Sequence, residues 1–106
     1  MRKGDIVLVE FPYTDLVTSK LRPSVVLLET RFDLIVCFIT SNLKIKEPCD
    51  LILSPTSLNN LKVISLLKAN KIMTIDKAIV KGKLGQLSLN EISVLNKNIT
   101  KLLHLK

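Results

Sequence analysis

The chain has 106 residues, which suits one domain over residues 1–106 and is too short for two. Hydrophobic residues make up 47% of it, so we expect apolar side chains on the surface that self-association would cover. No apolar run approaches the roughly 18–20 residues of a membrane span, and no signal-peptide pattern opens the chain. Cys37 and Cys49 lack metal or redox spacing, which predicts free thiols in the cytoplasm.

The net charge of +7 comes entirely from the second half of the chain. Residues 1–53 carry seven basic and seven acidic side chains, whereas residues 54–106 carry nine lysines against Asp76 and Glu91. Two interpretations stay open on charge alone. The excess is either a solvated face that keeps the protein in solution or a binding surface for a polyanion or an acidic protein.

The first half of the chain predicts three strands. DIVLVEF, residues 5–11, places Val7, Val9 and Phe11 on one face, which we expect to be core, and Pro12 ends the strand. A polar loop is predicted over 13–21. SVVLL at 24–28 and LIVCFIT at 34–40 predict two further strands that the short ETRFD segment joins in a hairpin.

The second half predicts three more strands and a turn region. DLILS at 50–54 predicts a strand with Leu51 and Leu53 on one side, and KVISLL at 62–67 and KIMTI at 71–75 predict two separate strands. KGKLGQ at 81–86 contains two of the three glycines and is typical of a turn region.

The C-terminal segment predicts a helix from about Leu89 to Leu105. Ser88 and Glu91 have the spacing of a capping box, and apolar residues then recur at helical intervals. Several short strands followed by one helix predict a mainly β protein, a small, strongly bent antiparallel barrel with a C-terminal α-helix.

Several kinds of chemistry are excluded by composition. His104 is the only histidine, so a two-histidine acid–base mechanism is impossible. The sequence has no Cys/His metal-ligand pattern, no paired acids of a two-metal site and no phosphate-binding glycine loop. We therefore expect no metal and no cofactor, and any catalysis falls to Arg, Lys, Ser, Thr or backbone groups.

The segment SKLRPSVVLLE places an arginine directly before a proline at the start of a predicted buried strand. Pro23 biases Arg22 toward an extended conformation, so its side chain projects from a loop-to-strand junction. The planar guanidinium suits bidentate binding of phosphate. The alternative is an internal ion pair with a loop acid such as Asp15.

The order and spacing of five segments favour phosphate binding by Arg22 over the internal ion pair. The chain contains KGDIVLVEFPYTDL, then SKLRPSVVLL, VCFITSN, KIMTIDK and GKLGQLS, and in this respect it resembles the PemK/MazF-like growth inhibitors, which are toxins of type II toxin–antitoxin systems. The resemblance covers essentially the whole chain. Its opening pattern GDIV, FP, TD and LRP is specific as a set.

The resemblance implies a fold and an activity. The fold is the SH3-like barrel shared by CcdB, PemK and MazF, assembled as a homodimer. The activity is that of an endoribonuclease (mRNA interferase), which cleaves single-stranded RNA at short sequences by metal-independent attack of a 2′-hydroxyl. A cognate acidic antitoxin would occupy the RNA groove, in keeping with the basic charge.

The resemblance also assigns candidate site residues. The arginine of the RP motif falls on Arg22 and the hydroxyl residue that closes the third strand falls on Thr40, and these two are the predicted catalytic residues. Where the family has QIRT, this chain has KIMT, so Lys71 and Met73 leave the cut-site sequence and the activity itself in question. Tyr13 and Phe32 are the candidates for base stacking. The predicted RNA-binding residues are Tyr13, Thr18, Ser19, Lys20, Ser41 and Lys71.

Two other functions stay open for a chain of this pattern. One is a non-nuclease member of the same fold that poisons DNA gyrase through its C-terminal helix. The other is a module that binds RNA or the antitoxin without cleaving RNA. Salt-dependent RNA binding without products would indicate the latter.

Overall fold

The computed structural model describes residues 1–12 and 19–105, without the side chains of Pro12 and Ser19. Most of the polar loop predicted over 13–21 therefore lies outside the described residues. Its last three residues belong to a strand. The elements are β1 (Asp5–Pro12), β2 (Ser19–Glu29), β3 (Asp33–Thr40), β4 (Leu51–Leu53), β5 (Ser65–Asp76), a 3₁₀ turn (Lys77–Ile79), β6 (Val80–Gln86) and α1 (Leu89–Leu102).

The six strands form one sheet in the order β4-β5-β3-β2-β1-β6, and the neighbouring strands are antiparallel. The mainly β fold with a C-terminal helix is thus confirmed, as is the hairpin between β2 and β3. β4 and β6 stand at the two ends of this order, so the pairings among the described residues do not close the sheet. The closed barrel stays a prediction.

The sheet buries apolar side chains on both faces. One cluster, which we call the helix-side core, includes Ile6, Val25, Leu67 and Leu95. The other, the opposite core, contains Val7, Val9, Val26, Leu34, Val36 and Ile75. The predicted core face of β1 is confirmed, but Ile6 on its other face is equally inaccessible because α1 covers that side.

The helix starts at the predicted capping box. The Ser88 amide donates to Glu91 Oε1 at 2.8 Å and the Glu91 amide donates to Ser88 Oγ at 3.1 Å, which satisfies two otherwise unpaired N–H groups. The helix ends at Leu102 rather than Leu105, because His104 has a left-handed φ of 56° that stops propagation. Within the described part of the chain, no helix has the length and apolar character needed to span a bilayer.

The predicted break between two strands at 67–71 is wrong, because β5 runs through it without interruption. The prediction ended one strand at Leu67 and began the next at Lys71, which left Lys68 between the two strands. Lys68 is instead buried and pairs with Phe38, whereas Ile72 pairs with Cys37, the residue before Phe38. The three residues 69–71 therefore form a bulge, which bends the strand without ending it.

The predicted turn at 81–86 is also wrong, because these residues lie in β6 and pair with β1. Gly82 and Gly85 sit beside the two register shifts of this pairing. A Cβ atom at Gly85 would lie 2.5 Å from the carbonyl oxygens of Leu58 and Asn59. The glycine signal thus marks a close backbone approach and bulges inside a strand, not a turn.

Both cysteines are free, as predicted. Cys37 is fully buried in the helix-side core, and desolvation raises the pKa of its thiol to about 12. The thiolate form is therefore negligible near neutral pH, so Cys37 serves in packing.

Candidate active site

A hollow of about 520 Å³ opens on the sheet face that carries the opposite core. We call it the central hollow. Four neighbouring strands, β1, β2, β3 and β5, contribute to its wall, and the wall combines an aromatic pair with basic and hydroxyl side chains. Its lining residues are Phe11, Arg22, Pro23, Ser24, Phe38, Ile39, Thr40, Lys68 and Lys71.

The strand register explains why these side chains meet. Ser24 of β2 pairs with Phe38 of β3, and Arg22 lies two residues before Ser24 on the same face of the strand. Continuing this antiparallel register by two residues sets Arg22 opposite Thr40. Directly opposite Cβ atoms lie about 4.5–5.5 Å apart, so one small anion can contact both side chains.

Arg22 is exposed and contributes to the wall of the hollow. The following Pro23 fixes its own φ and favours an extended backbone at Arg22, and both residues lie in β2. The predicted loop-to-strand junction is thus part of a paired strand, in which Arg22 pairs with Val9 of β1. The alternative partner Asp15 lies outside the described residues.

Thr40 ends β3 at the rim of the central hollow. Its Oγ1 accepts a hydrogen bond from the backbone N–H of Asn42 at 3.1 Å. This bond uses a lone pair of the hydroxyl oxygen and not its proton. The hydroxyl is therefore held in place while its O–H stays able to donate.

Two lysines of β5 reach the hollow by different routes. Lys71 lies in the bulge and is exposed. Lys68 is buried, and its Nζ lies 2.6 Å from Asp50 Oδ2 and 3.7 Å from Glu47 Oε1. The hydrogen bond to Asp50 raises the pKa of Lys68. The charge of Lys68 is thus compensated inside the protein, whereas that of Lys71 faces solvent.

The aromatic residues of the hollow differ from those predicted. Phe11 and Phe38 line it as an edge-to-face pair with ring centroids 5.2 Å apart. Phe32 is an exposed turn residue under the Arg31 guanidinium, and it lines neither the central hollow nor its neighbour described next. Tyr13 lies outside the described residues.

A second hollow of about 430 Å³ adjoins the first and shares Arg22, Pro23 and Ile39 with it. We call it the side hollow. Its floor is mostly apolar, and the predicted RNA-binding residues Lys20 and Ser41 lie on its wall. The two hollows thus form a continuous surface around Arg22.

The structure brings most of the described candidates together. Arg22, Thr40 and Lys71 line the central hollow, and Lys20 and Ser41 line the side hollow. Ser19 pairs with Pro12 through the backbone, and Thr18, like Tyr13, lies outside the described residues. Met73 is exposed on β5 and belongs to neither hollow.

Sequence reasoning missed Phe11, Ser24, Phe38 and Lys68 as wall residues. A lysine flanked by apolar residues in LLKAN was a usable signal for Lys68, since a buried lysine needs a carboxylate partner. Ser24 offered no such signal. Over residues 1–12 and 19–105, no group of three or more His, Cys, Asp or Glu side chains is arranged to hold a metal ion.

The family of the chain follows from its sequence match. Residues 2–103 match the model of the PemK-like, MazF-like toxins of type II toxin–antitoxin systems. The chain therefore belongs to this toxin family, which confirms the resemblance drawn from the motifs. No curated protein matches the sequence.

Solved structures of the same fold agree with this assignment. A mycobacterial endoribonuclease in complex with its cognate antitoxin aligns with a TM-score of 0.80 at 15% identity, over 100% of this chain and 97% of that one. The Mycobacterium tuberculosis toxin MazF-mt6 gives 0.78 at 18%, over 99% of both chains. A MazE–MazF structure from Deinococcus radiodurans gives 0.79 at 16%, over 100% and 97%. At these identities the likeness shows the fold.

Proposed function

We propose that this protein is a toxin endoribonuclease that cleaves single-stranded mRNA at a phosphodiester bound in the central hollow. One observation carries the proposal: Arg22, Thr40 and Lys71, which lie far apart in sequence, line one open hollow. A guanidinium, a positioned hydroxyl and an ammonium together suit a phosphate group. Membership of the toxin family supports the same activity.

The chemistry needs charge stabilisation more than any cofactor. The 2′-oxygen attacks the adjacent phosphorus and loses its proton, and the bond from phosphorus to the 5′-oxygen breaks as that oxygen gains a proton. The products are a 2′,3′-cyclic phosphate and a 5′-hydroxyl. Arg22 donates two hydrogen bonds to the non-bridging oxygens as their charge grows, and Thr40 donates a third.

Arg22 acts through its charge. A guanidinium keeps its proton at every accessible pH, so it is a poor base, and its fixed fork stabilises the crowded transition state without reorganisation. No step in this scheme uses a metal ion. We therefore expect cleavage to persist in EDTA.

The RNA backbone on either side of the cut contacts the exposed cations. Lys71 borders the central hollow and Lys20 the side hollow, so a strand passing through both meets a positive charge on each side of Arg22. Lys71 binds phosphate as a point charge, and the glutamine that the family has at this position would offer an amide to a base edge instead. We infer a cut-site preference different from that of relatives with glutamine.

An acidic antitoxin fits the same surface. The exposed cations that attract RNA also attract a flexible acidic segment that orders on binding. Two of the three solved structures described above are complexes with an antitoxin. We propose that a cognate antitoxin covers the central hollow and thereby excludes RNA.

A homodimer in the cytoplasm, where mRNA is available, completes the proposal. Apolar side chains stay exposed on β5 and around the end of α1, and a second copy would cover them. Light scattering tests this directly, because a monomer at micromolar concentration contradicts the dimer. The exposed residues are Ile72, Met73, Leu102, Leu103 and Leu105.

The direct test of the activity is RNA cleavage with product analysis. Purified protein is incubated with a pool of single-stranded RNAs in EDTA, and the ends of the fragments are sequenced and typed chemically. The proposal expects cuts at short sequences that leave cyclic phosphates and 5′-hydroxyls. Salt-dependent binding without any products, or capture of DNA gyrase instead, contradicts it.

A further inference from the structure

Ser24 has a hydroxyl group without a hydrogen-bond partner among the described residues. The residue is fully buried, and its Oγ has no hydrogen-bond partner within residues 1–12 and 19–105. Buried hydroxyls in folded proteins are almost always paired, because an unpaired one has given up its bonds to water without replacement. The site of Ser24 therefore calls for an explanation.

The position of Ser24 in the sheet explains why its hydroxyl has no partner. Ser24 lines the central hollow, and its side chain emerges from the same face of β2 as that of Arg22, two residues earlier. It lies between Val7 and Phe38 in a row across the sheet, and the next row contains Arg22. Its hydroxyl is thus adjacent to the groups that would hold a phosphate.

A second buried atom without a partner, Asn70 Oδ1, lies in a different setting from Ser24 Oγ. Asn70 Oδ1 also has no partner among the described residues, but the Asn70 amide group donates to Glu47 Oε2 at 3.0 Å. Asn70 does not line the central hollow. Ser24 is the residue that combines an unpaired polar atom with a place in the wall.

We propose that the Ser24 hydroxyl donates a hydrogen bond to a non-bridging oxygen of the phosphodiester held in the central hollow. The inference rests on the proposed function and adds a substrate-contacting residue to Arg22 and Thr40. A phosphate is the favoured acceptor because hydrogen bonds to an anion are stronger than those to a neutral base edge. Water hardly reaches Ser24 Oγ, so the bond forms in low-dielectric surroundings that strengthen it.

The contact requires a small rearrangement. Because Ser24 Oγ is closed to water, RNA reaches it only after the Ser24 rotamer changes or the neighbouring Phe11–Phe38 pair moves. Neither change breaks a hydrogen bond of the Ser24 hydroxyl. The donor therefore turns to substrate without giving up a hydrogen bond to the described residues.

The test compares Ser24→Ala with Ser88→Ala. Ser24→Ala removes an unpaired hydroxyl, so we expect an unchanged or higher melting temperature and a single-turnover cleavage rate about 10- to 100-fold lower. Ser88→Ala removes a helix cap that lines neither hollow, so we expect a lower melting temperature and an unchanged cleavage rate. Ser24→Cys, which keeps a weak donor of similar size, should cleave at an intermediate rate.

A phosphorothioate substrate separates contact from packing. Sulfur in place of the contacted oxygen should slow the wild type, and the slowing should shrink in Ser24→Ala because the contact is already absent. Unchanged cleavage by Ser24→Ala, or a sulfur effect of the same size in both proteins, overturns the inference. If Ser24→Ala cleaves normally while Arg22→Ala is inactive, the proposed function is supported and the substrate contact of Ser24 is wrong. If Arg22→Ala is active, the site itself is wrong.

Discussion

Lys68 and Lys71 are the same residue type, three positions apart on β5, and the structure uses them in opposite ways. The ammonium of Lys68 is buried against Asp50, whose side chain is 0% exposed. Lys71 projects from the bulge into solvent at the edge of the central hollow. A buried cation is needed to compensate its buried partner, whereas an exposed cation beside a hollow can bind a ligand.

This difference shows that the net charge of a segment does not locate a binding surface. The second half of the chain holds the whole excess of +7, yet the charge of Lys68 is compensated by Asp50 although Lys68 lines the central hollow. The surroundings of each lysine decide its role, and mutations at the two positions should separate stability from RNA binding.

Lys68→Met should give the largest loss of stability. It leaves Asp50 buried without its cation, and breaking a buried ion pair typically costs about 3–5 kcal/mol. Urea denaturation measures the loss. The double variant Lys68→Met/Asp50→Leu should recover most of it, because removing both charges leaves no unpaired one. A single variant as stable as the wild type would mean that the pair is not structural.

Thr40→Val should slow cleavage while it preserves the strand. Valine keeps the shape of threonine and its strand preference but removes the donor, so we expect a single-turnover rate about 10- to 100-fold lower. The lost acceptor for Asn42 N–H is an exposed bond and should cost little stability. If the variant cleaves at the wild-type rate, Thr40 is not a catalytic residue.

Lys71→Ala should weaken RNA binding without changing stability. Losing one phosphate contact lowers the salt dependence of binding by about 0.7 in the slope of log K against log salt for a single strand. Fluorescence anisotropy with an uncleavable 2′-deoxy substrate at several salt concentrations measures this slope. Lys97→Ala, an exposed lysine on α1, is the matched control and should leave the slope unchanged.

Glu29→Gln should give the smallest effect, confined to stability. Lys77, followed by the Met1 amino group, lowers the pKa of Glu29 from 4.5 to about 2. A lowered folded-state pKa means that the carboxylate stabilises the fold above pH 4.5 and that this contribution disappears as pH falls toward about 2. The wild type should therefore melt slightly higher than the variant at pH 7 and equally near pH 2. A gap that widens in acid contradicts the assignment.

Much of this site could be predicted from short segments. The RP motif and the TS pair after LIVCFI selected Arg22 and Thr40 through the family resemblance, and the structure places both side chains on the wall of one hollow. Their catalytic role stays a prediction. The bulge at 69–71 and the strand at 80–86 could not be predicted. Lys68 becomes an interior residue only once Asp50 is beside it, and Gly85 is required by a backbone that passes 2.5 Å from its absent Cβ. Long-range neighbours decide both features, so the local sequence can mark these positions as unusual but does not show which partner each one meets.

The central claim is that the Arg22 guanidinium stabilises the reacting phosphate in the central hollow. Single-turnover cleavage of a defined RNA by Arg22→Ala, in EDTA and alongside its melting temperature, tests this claim most directly. We expect a rate about 10²–10³-fold below that of the wild type and an unchanged melting temperature, because the side chain is exposed. Cleavage at the wild-type rate by a folded variant would contradict the account.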